Sequence, residues 1–157
     1  MKSFLFPALL CLAIPALAQA PAEQALPFKG ANTITIHAPD SATVAYKKMA
    51  ALLLEAGYSV AHATPALLSL NTEPQAAPRY NMMHQIRMAV AAGPGETLIR
   101  LSDAFTLPGA AAVSAAMAGT STTEYRGGNA STFMICWKEL QRVAQLYPNT
   151  TLSYSKR

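Results

Sequence analysis

Three histidines, two cysteines and eight carboxylates are the groups of this chain that could do chemistry. His37 and His62 fall at the ends of two strands that a single helix joins. That order makes the two strands point the same way and brings both imidazoles to one end of a sheet. A zinc site needs three or four ligands. No third His or Cys is spaced to join this pair, so no metal site is expected. His84 lies on the apolar face of a long alternating strand, where a neutral imidazole needs a hydrogen-bond partner. It reads either as a satisfied core histidine or as the polar group of a ligand pocket. Cys136 stands between Ile135 and Trp137, without the neighbouring His signature that an activated thiol requires. It reads as a buried thiol packing as a small hydrophobe.

The carboxylates fall mostly in expected loops or on helix surfaces, and their spacing gives no acid–base pair for glycoside hydrolysis. Asp103, just past the end of a strand, is the one placed for a cleft. The GPGE at 93–96 joins two strands rather than a strand and a helix, so it is not a phosphate loop. No G-x-S-x-G or H-E-x-x-H occurs. The residues therefore point to no catalytic activity and no cofactor.

The elements that position these groups follow from periodicity. Residues 1–20, MKSFLFPALLCLAIPALAQA, have a positive start, an apolar run and a small-x-small site at Ala16–Ala18. This is the anatomy of a secretory signal peptide, expected to be cut after Ala18. The apolar run is too short, and too rich in proline, to span a bilayer. Leu10 before Cys11 argues against a lipid anchor. Removing 18 of the 157 residues leaves 139 and one cysteine, Cys136. The mature domain is then held by its core rather than by a disulfide.

Residues 19–31 carry prolines and no period and are expected to form a flexible leader. NTITIHA at 32–38 alternates as a strand. Asp40 is a candidate cap for a helix over 41–56, whose stripe Ala45, Met49, Leu52, Leu53 and Ala56 faces a core. Gly57 supplies its stop. Strands are predicted at 58–62, 67–72, 80–91 and 97–102. In the third of these the even residues, from Tyr80 to Val90, face inward. Residues 104–130 are small and uncharged until Glu124 and read as a long mobile loop, with a brief helix at 110–118. A second helix over 131–147 carries Phe133, Trp137, Leu140, Ala144 and Tyr147 on one face. The tail alternates weakly and offers an edge strand. The order β-α-β-β-β-β-α predicts an α+β domain over 32–157. It has two layers, with a mainly antiparallel sheet of about five strands and two helices on one face.

The strand at 32–38, the helix ending Ala56-Gly57-Tyr58-Ser59-Val60 and the hairpin leading to Leu68-Ser69-Leu70 resemble the helix-grip domains of the BamC-type outer-membrane assembly lipoproteins. They also resemble small secreted bacterial proteins of similar opening. The resemblance covers about 40 residues. It implies a helix-grip-like fold and a role in envelope assembly, and it carries no site residue across. The chain departs from those lipoproteins in lacking the anchored cysteine and in having one domain instead of two.

The chain is 52% hydrophobic and only 13% charged, which argues against disorder. Its net charge of +4 falls to +3 once Lys2 leaves. The basic residues form no stripe interleaved with aromatics, so nucleic acid is not an expected partner. No segment of the mature chain is long enough to cross a membrane. What remains is an exported, periplasmic or extracellular, non-catalytic binding module whose partner is another envelope protein. The second reading is a carrier of a small apolar ligand. Its cavity would lie between the sheet and the C-terminal helix, lined by Met82, His84, Met88 and Trp137.

Overall fold

The computed structural model describes residues 23–77, 82–106, 120–128 and 131–157. The signal peptide expected at 1–18 and the brief helix expected at 110–118 lie outside them. In chain order the elements are β1 (Thr33–Ala38), α1 (Ala42–Glu55), β2 (Val60–Thr64), β3 (Ser69–Thr72), β4 (Gln75–Ala76), β5 (Met83–Ala92), β6 (Thr97–Thr106), β7 (Ser121–Thr122), α2 (Thr132–Ala144) and β8 (Thr151–Ser155). A short 3-10 turn, Pro65–Leu67, joins β2 to β3.

The fold is α+β, as the element order predicts. All strand pairs are antiparallel, in the order β2-β3-β5-β6-β1-β8, with β4 added to β5 and β7 to β6. Among the described residues eight strands replace the five expected. Two of the extra ones are two-residue pairings in segments without periodicity, and the third is the tail, which becomes the edge strand β8 beside β1.

Alternation decides which face is buried. Leu70, Met88, Leu101, Ile34 and Tyr154 stand opposite one another in successive pairs, one row across five strands. Val90, Ile99, Ile36 and Leu152 make the next row. Both helices close over these rows. α1 contributes Ala45, Tyr46, Met49 and Leu53, and α2 contributes Met134, Trp137, Leu140, Val143 and Ala144. Each large apolar side chain so buried contributes roughly 1.5–3 kcal/mol, and Trp137 sits fully inside.

Helix ends follow their local chemistry. Gly57, at φ +90°, takes the left-handed stop that ends α1. The cap is not Asp40, as expected, but Ser41, which makes no side-chain cap hydrogen bond. The Asp40 carboxylate is drawn elsewhere. It accepts from the Tyr147 hydroxyl at 2.6 Å and from Lys48 at 3.2 Å. Ser131 caps α2 by accepting from the Met134 amide.

The flexible leader expected at 19–31 is tied down over its described part. Gln24 exchanges both backbone hydrogen bonds with Tyr154, at 2.9 and 2.8 Å, extending the sheet past β8. Gly30 donates to Tyr125, and Ala31 is fully buried. The long loop expected at 104–130 is only partly described. Residues 104–106 complete β6, and Thr123 and Tyr125 dock by backbone hydrogen bonds to Asp103 and Ala31.

Candidate functional site

Polar and charged side chains gather in a buried cluster at one end of the sheet and on the sheet face turned away from the helices. The buried cluster starts from His84 on β5 and Asp103 on β6. β6 runs to Thr106, past the Ser102 expected as its end, so Asp103 belongs to the sheet and points into the helix layer. Its Oδ1 accepts from His84 Nδ1 at 3.2 Å, and its Oδ2 accepts from the Thr123 hydroxyl at 2.6 Å. The Cys136 thiol lies against the same carboxylate, with its sulfur 3.6 Å from Met82 Sδ. His84, Asp103, Thr123 and Cys136 are each at most 2% exposed. The Tyr58 ring meets His84 edge-on at 6.0 Å, and its hydroxyl donates to Glu139 at 2.6 Å. Glu139 in turn holds Arg142.

The electrostatics of this cluster suit a sealed interior. Burial raises the Asp103 carboxyl above its ordinary value, and the donors His84, Thr123 and Cys136 only partly offset it. Burial, and then the Asp103 charge, push the Cys136 thiol up to about 12. Such a thiol stays protonated near neutrality and is a poor nucleophile. In a thiol–imidazole dyad the imidazole is the base beside the sulfur. Here the carboxylate stands between the two and holds both. Glu139 is lowered, chiefly by Arg142 and then by Tyr58 against the opposing effect of burial.

Of the residues expected to line a ligand cavity, Met82, His84, Met88 and Trp137 are all buried. They do not share one pocket. Met88 and Trp137 belong to the main core, where Trp137 packs on Tyr125 and Tyr154. Met82 packs with Ala77, Phe105 and Cys136 in a second cluster. His37 and His62 are far apart on the sheet, with β3, β5 and β6 between their strands. His37 meets Glu96 at 2.8 Å and the Ser153 hydroxyl at 2.8 Å, beside a hollow of about 440 Å³. His62 meets Thr64. Among the described residues no three His, Cys, Asp or Glu side chains are grouped to hold a metal ion.

The outer face of the sheet is different in kind. Pairing sets two rows on it. One runs Asn71, Arg87, Ser102, and the other runs Ser69, Ala89, Arg100, Thr35, Ser153. Arg87 and Ala89 are exposed, and Arg100, Ser102, Ser69 and Asn71 are half-buried. Small side chains at Ser69, Ala89 and Ser102 leave a depression of about 260 Å³, walled by Arg87 and Arg100, with Arg157 at its rim. All eight side-chain carboxylates of the chain are described, and neither they nor the C-terminal carboxylate on Arg157 lies within ion-pair distance of Arg87 or Arg100. Glu23, which also reaches this face, is bound by Ser153 and Thr35.

Neither arginine of this pair is among the site residues expected from the sequence. The signal was present: residues 87 and 102, and 89 and 100, are symmetric about the turn at 93–96, which sets Arg87 and Arg100 as diagonal neighbours. No protein-family model matches the chain, and no curated protein matches it.

Proposed function

We propose that this is an exported, non-catalytic binding module that engages another envelope protein through the outer face of its sheet. The carrying observation is the asymmetry of the two layers. Both helices cover one face, whereas the other presents exposed Arg87 and Ala89 beside half-buried polar groups. The non-catalytic reading is supported by the buried cluster, in which no exposed nucleophile is paired with a base. Export is supported by the signal-peptide pattern of residues 1–18, and an envelope setting by the local resemblance to the BamC-type domains. The carrier reading has less support, because Met88 and Trp137 pack into one cluster and Met82 into another.

The test is photocrosslinking in the intact cell envelope. A photoreactive residue at Ala89 is expected to give one discrete adduct, reproduced when the probe is moved to the partner. The same probe at Ala51, on the exposed side of α1, is expected to give none. Absence of an adduct from Ala89 and from neighbouring Arg87 overturns the reading.

A further inference from the structure

We propose that the depression over Ala89 and Ser102 is an oxyanion site that takes a carboxylate or phosphate group between Arg87 and Arg100. Arg87 stands opposite Ser102, and Arg100 opposite Ala89, so the two arginines are diagonal neighbours on adjacent strands. Diagonal side chains lie roughly 7–8 Å apart at the backbone, within reach of long arms. Like charges so placed repel, and a sheet with no use for them gains by an intervening carboxylate. None is there, although five other basic or imidazole groups in this chain have acidic partners.

The surroundings fit an anion. The floor is small and polar, with the hydroxyls of Ser69 and Ser102 and the amide of Asn71 available as donors. Guanidinium presents a planar fork that matches carboxylate and phosphate oxygens two at a time. Half-burial of Arg100 weakens screening by water and salt there. The volume of about 260 Å³ suits one anionic group with its immediate substituents rather than a large apolar molecule.

This inference rests on the outer face being the working face, and it names the chemical group that face recognises. It is tested on the purified mature chain without any partner. The amide spectrum is followed while sodium phosphate or sodium citrate is added at constant ionic strength, with sodium chloride as the control. Saturable shifts centred on Ala89, Arg100 and Ser102, with either oxyanion and not with chloride, are expected. The tighter of the two arms identifies the group as phosphate or carboxylate. Arg87→Gln and Arg100→Gln are each expected to weaken binding at least tenfold, and Lys47→Gln on α1 to leave it unchanged. Ala89→Glu, which supplies an internal carboxylate, is expected to abolish binding while the chain stays folded by circular dichroism. Shifts that do not saturate, that chloride reproduces, or that survive in both arginine variants and in Ala89→Glu overturn the proposal. If anions fail to bind while the Ala89 crosslink persists, this inference falls and the docking reading stands. If anions bind and no crosslink forms, the reverse holds.

Discussion

Asp103 is a carboxylate with three donors and almost no water. Its place on the inner face of β6 is masked, because Ala104 beside it is also buried and Asp103 itself interrupts the apolar pattern between Leu101 and Phe105. His84 was legible from strand period alone, whereas Thr123 comes from a segment with no period and gave no sequence signal. Burial raises Asp103, so the folded state favours its protonated form more than the unfolded chain does. Its contribution to stability is therefore fully present below about pH 4, the ordinary carboxyl range. It declines as the pH rises through the raised value. Asp103→Asn keeps the shape of the neutral acid and removes the titration. Relative to the wild type, the variant is expected to gain unfolding free energy as the pH rises from 4 to 7 in urea titrations. A difference that stays flat or shrinks over that range would show that the donors, not burial, govern this group.

The two helices match their expected positions more closely than their expected ends. α1 and α2 fall within a few residues of their expected spans because each carries a continuous apolar stripe. Their caps depend on single side chains that tertiary partners can take away. Tyr147 and Lys48 drew Asp40 off the start of α1. Nothing competes for Ser131, which accepts from the Met134 amide at 3.3 Å. Ser131→Ala is expected to cost about 1 kcal/mol, read as a lower urea midpoint with an unchanged slope. Loss of less than a few tenths would mean that water replaces the hydroxyl at no cost. The leader departs from its expected flexibility for a related reason. Its hydrogen bonds are made by backbone against the β8 edge, and backbone pairing leaves no mark in residue type.

For the molecule as a whole, the two layers share one core. Rows of side chains from five strands meet both helices in a single cluster centred on Trp137. The smaller cluster of Met82, Phe105 and Cys136 is attached to it through α2, which supplies Cys136 to one and Trp137 to the other. Neighbouring residues of one helix cannot leave their clusters independently without breaking that helix. The chain is therefore expected to unfold as one cooperative unit. It has a single tryptophan, so Trp137 fluorescence reports the main core alone, while far-ultraviolet circular dichroism reports the sheet and both helices. The two urea transitions are expected to coincide in midpoint and slope. A circular dichroism transition that precedes the fluorescence change would mean that the His84–Asp103 end opens on its own. In that case the buried polar cluster would mark a separate, weaker unit of the fold.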